Sequence, residues 1–258
     1  MEQMEIMYHI QMKKGDVGRY VLLPGDPGRC EPISKYFDNA KKVAQHREYT
    51  TYTGYLLGKK VSVTSTGIGG PSTAIAVEEL SKIGADTFIR VGTSGGMQKY
   101  TKVGDLAITS GAVRDEGTAE HYMPLAFPAV ANIDVTLALR EAAEKLGFPY
   151  HVGISQSKDS FYGQHQPERM PVSYRLQNRW KAWIAGGVLC SEMEAATIFV
   201  VCSVLKKRAG GVMLVAGNQE LPPLSPGERA KLTDLDPLLR TAVEALKILI
   251  EKDRAASA

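Results

Sequence analysis

Thr87-Phe88-Ile89-Arg90-Val91-Gly92-Thr93-Ser94-Gly95-Gly96 sets an apolar run directly against a glycine-rich loop. Residues 87–91 predict a buried strand, and the glycines after it predict backbone that bends sharply or lies close to a ligand. The same arrangement occurs twice earlier in the chain. Tyr20-Val21-Leu22-Leu23 stops at Pro24-Gly25-Asp26-Pro27-Gly28, and Val61-Ser62-Val63-Thr64 runs into Ser65-Thr66-Gly67-Ile68-Gly69-Gly70. Pro71 then opens a helix to about residue 83, since proline is tolerated in a first turn. In open α/β sheets ligands gather at strand carboxyl ends, so these three loops mark one end of a sheet as the candidate site.

Working outward, residues 31–37 predict a short helix and 47–64 a hairpin around Gly58-Lys59-Lys60. The second half repeats the alternation. Strands are expected at 105–109, 151–157, around Val188 and at 212–215, and helices at 135–146, 179–185 and 193–205. An irregular segment covers 161–171, a polar loop 216–235, and a terminal helix 237–251. There is no repeat, low-complexity tract or linker. The expectation is one domain over residues 1–258, with a central sheet between helix layers.

Composition narrows the function classes. The 258 residues are 44 % apolar and 23 % charged, enough to build a core without disulfide or metal staples. Lys and Arg number 31 against 28 Asp and Glu, a formal charge of +3 that is too small for a nucleic-acid-binding surface. Cys30, Cys190 and Cys202 are too widely spread for a zinc site and predict buried free thiols in a reducing compartment. The start, Met-Glu-Gln-Met-Glu, is acidic where a signal peptide is basic, and the longest apolar run, 198–205, is short for a membrane span. A soluble cytoplasmic protein is expected.

Two of the glycine loops carry arginine, Arg29 and Arg90. Guanidinium groups together with free loop N–H groups hold oxyanions. Neither GxxxxGK[ST] nor a helix-opening GxGxxG is present, so a small oxyanion fits better than a nucleotide triphosphate. Further on, Ser191-Glu192-Met193-Glu194 fits a helix capping box, with Glu194 turned to the helix-start backbone.

The order of four motifs is more specific than any one of them. Pro-Gly-Asp-Pro-x-Arg at 24–29, Ser-Thr-Gly-Ile-Gly-Gly-Pro-Ser at 65–72, Arg-Val-Gly-Thr at 90–93 and Glu-Met-Glu-Ala-Ala at 192–196 together resemble the nucleoside phosphorylase-I family, in particular its uridine-cleaving branch. His46-Arg47-Glu48, Phe127-Pro128-Ala129-Val130-Ala131 and Asp159-Ser160-Phe161-Tyr162 are similar to the same branch, so the resemblance spans essentially the whole chain. It implies a phosphorylase/hydrolase-like three-layer α/β/α sandwich with a central mixed, twisted sheet. It also implies a pentosyltransferase that uses inorganic phosphate as co-substrate and no organic cofactor.

By motif, the resemblance places phosphate on Gly25, Arg29, Arg90 and Thr93, with Arg47 reaching in from a neighbouring subunit. Ribose falls to Met193 and Glu194, with Glu192 beside them and His9 crossing from the adjacent chain. In purine-cleaving members an aspartate follows the late strand; here Ala216-Gly217-Asn218-Gln219-Glu220 stands there instead. Phe161 is expected to stack on the base. Gln164, Gln166 and Arg169 follow, and an amide can both donate to a carbonyl and accept from an N–H, as the uracil edge requires. The interval between glutamine and arginine is longer here than in relatives, which puts Arg169 in question. The late-strand arginine of many relatives is missing, and Lys158 is the candidate replacement; otherwise it is an exposed lysine at a strand end. Catalysis is thus assigned to Arg90, Glu194, Lys158, Gln164 and Arg169.

Glu48, Ile68 and Ser72 match positions that hold a monovalent cation, K+, between subunits in some relatives. Shared sites imply a homo-oligomer, a hexamer built as a trimer of dimers, with a pyrimidine nucleoside as substrate and neither nucleic acid nor membrane as partner. A purine nucleoside phosphorylase, a nucleosidase of the same fold and a non-catalytic nucleoside- or phosphosugar-binding protein are the alternatives.

Overall fold

The computed structural model describes residues 6–222 and 234–256. The acidic start at 1–5 and most of the loop expected at 216–235 lie outside them. In chain order the elements are β1 (Tyr20–Pro24), α1 (Cys30–Ser34), β2 (Asp38–His46), β3 (Tyr49–Leu56), β4 (Lys59–Thr64), α2 (Gly70–Lys82), β5 (Thr87–Gly96), β6 (Leu106–Asp115), β7 (Ala129–Val130), α3 (Ile133–Leu146), β8 (Tyr150–Lys158), α4 (Phe161–His165), α5 (Ser173–Ala185), β9 (Cys190–Glu192), α6 (Ala195–Val204), β10 (Arg208–Asn218) and α7 (Asp236–Ala255).

One mixed sheet runs β2-β3-β4-β1-β5-β10-β6-β8-β9. Its two faces carry separate apolar clusters. One gathers α1, α3 and α7 around Leu22, Ile89 and Val212, and the other gathers α2 and α6 around Val21, Leu23 and Phe88. This is the expected layering, with one addition: part of the sheet closes on itself. β5 pairs in parallel with β10 along its length, while Gly95 and Gly96 pair antiparallel with Ser191 and Cys190 of β9. β5, β10, β6, β8 and β9 therefore form a small ring, and closure removes their free edges. The glycines at 92–96, read from sequence as loop, belong to β5 because both neighbours hydrogen-bond to it.

Local chemistry explains the helix limits. Asn132 Oδ1 accepts from the Asp134 and Val135 N–H groups at 3.1 and 3.2 Å, and Gly147, at φ +71°, ends α3 in the left-handed region. α6 is buried from Ala195 to Cys202, so it needs no polar face. Cys30, Cys190 and Cys202 are all buried free thiols, as expected. Burial pushes the first two up to about 12, so they stay protonated. Among the described residues no helix is long and apolar enough to cross a membrane.

Candidate active site

The carboxyl ends of β1, β5 and β10 open onto a cavity of about 800 Å³. At one end the chain passes very close to itself. Gly67 donates its N–H to the Gly25 carbonyl at 3.0 Å, and a Cβ on Gly25 would stand 3.1 Å from the Gly67 carbonyl and 3.4 Å from Arg90 Nη1. Glycine at 25 thus leaves the Arg90 guanidinium room beside the loop.

Arg90 is 5 % exposed and projects from β5 between two carboxylates. Its Nη2 donates to Glu194 Oε2, and its Nε lies 3.6 Å from Glu192 Oε2. Nε and Nη1 have no hydrogen-bond partner among the described residues. Buried donors left unpaired are costly, so a guanidinium with spare N–H groups in a cavity wall fits an oxyanion. Arg29 and Thr93 line the same end. Burial lowers the Arg29 guanidinium below its ordinary value and nearby Arg90 acts in the same sense, whereas Asp26 opposes them. An arriving anion relieves that mutual repulsion.

Glu194 comes next along the wall. Its Oε1 accepts from the Gly69 N–H at 2.7 Å, and burial raises its carboxyl above the usual range despite Arg90. Glu192 carries the helix cap: its Oε2 accepts from the N–H groups of Glu194 and Ala195 at 2.8 and 2.9 Å, and its Oε1 from Ser157. The capping-box reading of Ser191 and Glu194 is therefore corrected, because Glu192 meets the helix-start donors while Glu194 pairs with Arg90 and the Gly69 N–H in the cavity wall. For the same reason Glu192, expected beside ribose, has both oxygens engaged inside the protein. Met193 lies in the wall between them.

At the far end stand Phe161, Gln164, His165, Lys158 and Gln219. Phe161 is 51 % exposed, and its ring lies 4.2 Å from that of His165. Lys158 is 6 % exposed, so the exposed-lysine alternative fails. Its Nζ donates to Ser191 Oγ at 2.8 Å, and burial lowers the ammonium below its ordinary value while Glu192 and Glu194 oppose the shift. His165 Nδ1 lies 2.9 Å from Gln219 Nε2. Burial, then Lys158, lowers His165 and keeps it neutral.

Not every expected residue reaches this cavity. Arg169 and Gln166 pair with each other on the exposed turn after α4, outside the lining, because Arg169 Nη1 donates to Gln166 Oε1. Arg169, whose role the longer interval puts in question, thus lies away from the cavity lining. Asn218, at the carboxyl end of β10 in a stretch that holds no aspartate, lines the cavity but turns its amide to the Gln98 and Thr101 carbonyls, both at 2.9 Å. His9 and Arg47 lie elsewhere as well. His9 Nδ1 meets Glu79 Oε1 at 2.7 Å, and the Arg47 guanidinium lies 6.0 Å from the Tyr8 ring centre. Glu48, Ile68 and Ser72 do converge: Ser72 Oγ donates to the Ile68 carbonyl at 3.4 Å, and a Cβ on Gly67 would collide with Glu48 Cγ at 2.9 Å. His165 and Gln219 carried no sequence signal of their own and Ser191 only that of a helix cap; the pairing of β9 with β5 and β8 brings Ser191 to the site.

The sequence profile of the phosphorylase superfamily matches residues 19–251. The uridine phosphorylase of Treponema pallidum is 52 % identical over 246 residues, 95 % of each chain. That of Thermococcus kodakarensis is 49 % identical over 258 positions, covering 96 % of this chain and 88 % of its own. The guanosine phosphorylase of Halorubrum lacusprofundi is 39 % identical over 217 residues, 82 % of this chain and 86 % of its own. A motif order predicted from sequence, a cavity with spare arginine donors and matches of this length agree: the chain belongs to the phosphorylase superfamily.

Proposed function

We propose that this chain catalyses the reversible phosphorolysis of uridine to uracil and ribose 1-phosphate. Phosphate is the co-substrate and no organic cofactor takes part. A phosphate oxygen bonds to C1′ while the C1′–N1 bond breaks and its electron pair leaves with uracil. Gly25, Arg29, Arg90 and Thr93 hold the phosphate so that one oxygen faces C1′, and this positioning supplies much of the rate. Glu194 accepts from the ribose hydroxyls and Met193 packs on the sugar. Phe161 stacks on the base, Gln164 reads its edge, and Lys158 offsets charge developing on departing uracil. Gln166 and Arg169 stay outside this assignment, and Glu192 orients the Glu194 backbone.

The observation that carries this reading is the cavity's polarity: spare guanidinium donors at one end, a ring and amides without a carboxylate at the other. The purine reading has one observation in its favour, the guanosine phosphorylase among the relatives. Against it, the end of β10 offers no aspartate, and Asn218 is engaged with backbone. The test is base release from a nucleoside panel, with and without phosphate. Uridine is expected to exceed inosine, guanosine and adenosine in kcat/KM by well over about tenfold. Equal rates with inosine would overturn the substrate; equal rates without phosphate would make the chain a nucleosidase.

Lys158 gives a second expectation. A buried cation beside the leaving base stabilises the transition state more than the ground state. Lys158→Ala is expected to lower kcat and kcat/KM together by roughly 10²-fold. Near-normal kinetics would remove Lys158 from the chemistry.

The remaining assignments belong to the same proposal. The enzyme works as a single domain in the cytoplasm, where buried thiols stay reduced. It assembles as a homo-oligomer, a hexamer of three dimers, with His9 and Arg47 completing a neighbour's site. Glu48, the Ile68 carbonyl and Ser72 supply only oxygen donors, which fits a hard cation such as K+ at the subunit boundary.

A further inference from the structure

A chain of hydrogen bonds reaches Gln164 from outside the substrate cavity. Arg179 of α5 pairs with Asp115 Oδ1 at the end of β6. Asp115 Oδ2 accepts from Gln156 Nε2 at 2.6 Å. Ser191 Oγ lies 2.8 Å from Gln156 Oε1 and 2.7 Å from Gln164 Oε1, so two carbonyl oxygens face one hydroxyl. Lys158 Nζ is the third neighbour of Ser191, at 2.8 Å. Gln156, Ser191 and Lys158 are all buried.

The direction of each bond follows from the first. A carboxylate only accepts, so Gln156 must turn its amide N–H to Asp115 and its carbonyl to Ser191. Ser191 has one hydroxyl proton, and that carbonyl takes it. Lys158, an ammonium with donors only, occupies one of the two remaining lone pairs. One proton cannot serve both carbonyl oxygens, so the Gln164 amide takes the orientation a half-turn from the one with Oε1 on Ser191, and its nitrogen donates to the hydroxyl. The two ends of an amide are interchangeable by a half-turn, so the network decides which end faces inward.

We propose that Asp115, acting through Gln156 and Ser191, is a positioning residue that keeps the Gln164 carbonyl toward the base, and so selects a base with N–H over one with a bare nitrogen. Uracil carries N3–H, whereas cytosine offers an acceptor there. The proposal rests on the pyrimidine phosphorolysis reading for the site but specifies what rejects cytidine. A pocket built to pair with an N–H leaves its acceptor unmet by the wrong base, which is a strong basis for rejection.

Asp115→Asn tests it by inverting the chain. The new amide would give its oxygen to Arg179 and its nitrogen to Gln156. Gln156 would then donate to Ser191, Ser191 would donate to the Gln164 carbonyl, and Gln164 would show its N–H₂ to the base. Dissociation constants for uridine and cytidine, measured without phosphate so that no turnover occurs, are expected to shift in opposite senses. Their ratio should change by about tenfold or more in cytidine's favour. Ser191→Ala breaks the relay and should also lower the ratio, while Ser191→Thr keeps the hydroxyl and should preserve it. KM for phosphate is expected to stay constant in Asp115→Asn. An unchanged ratio in both Asp115→Asn and Ser191→Ala, or equal weakening of both nucleosides, would overturn the relay. If the wild-type chain bound uridine but released no uracil with phosphate, the functional reading would fail while the binding ratios still judged the relay.

Discussion

Replacing Arg90 with alanine is expected to reduce kcat/KM for phosphate by about 10³-fold, the scale of losing a preorganised charge-stabilising donor. Arg90 is buried, two of its nitrogens have no hydrogen-bond partner among the described residues, and the third binds Glu194. One side chain thus links the proposed phosphate end to the proposed ribose end. Removing it also leaves Glu192 and Glu194 close together without their cation, and breaking a buried ion pair destabilises strongly. A fall in melting temperature is therefore expected beside the loss of activity. Arg90→Lys separates the two effects. It restores a positive charge for the carboxylates but not the fork of N–H donors, so the melting temperature should recover much further than kcat/KM. Activity within tenfold of wild type in a folded Arg90→Ala would show that another residue holds the phosphate. Arg29, at the same end of the cavity, would become the leading candidate.

Arg90 was legible in the sequence because it stands two residues before a glycine-rich strand end and falls in one of the four ordered motifs. The same held for Glu194, but through the motif order rather than spacing. Spacing alone favoured a capping box, and the structure gives the cap to Glu192. β2 was missed because its residues, Asp38–His46, are all exposed or half-buried and mostly polar, with no two-residue alternation. A charged edge strand protects a sheet from further pairing, and that service leaves little hydrophobic signal. α5 was foreseen only at its carboxyl end, and none of its residues is buried. The ring closure of β5, β10, β6, β8 and β9 was not readable at all. It depends on pairs such as Gly95 with Ser191, far apart in sequence, and glycine strands have no side-chain pattern to report them. The base end of the site suffered accordingly. Phe161 and Gln164 stand in one segment and were found, whereas Ser191, Gln156 and Asp115 meet only because β6, β8 and β9 are neighbours.

Mixing inactive Arg47→Ala and Glu194→Ala chains is expected to restore activity if, as proposed, each site takes one arginine from another subunit. Within its own chain Arg47 does not line the substrate cavity. It sits on the β2–β3 turn at φ +53°, exposed, with the Tyr8 ring beside it and no ion pair among the described residues. His46 Nδ1 meets the His9 carbonyl at 2.7 Å, so both residues expected to cross are held on one surface. The receiving side is also open. Ile68 is 77 % exposed and, with Met193, lines both the substrate cavity and an adjoining cavity of about 780 Å³. A two-fold contact would let each chain donate one set and receive another. Each variant alone should lose most activity, since every site in Arg47→Ala lacks the donated cation and every site in Glu194→Ala lacks the carboxylate. In a mixed dimer one site joins intact Glu194 to intact Arg47, and the other carries both defects. Recovery should therefore approach one quarter of wild-type activity: after random exchange about half of the dimers are mixed, and each holds one good site of two. Exchange is verified independently by tagged chains separated by native electrophoresis. Complete exchange without recovery would return Arg47 to its own chain and end the shared-site assignment, whereas recovery needs no wild-type chain and admits no explanation within a monomer.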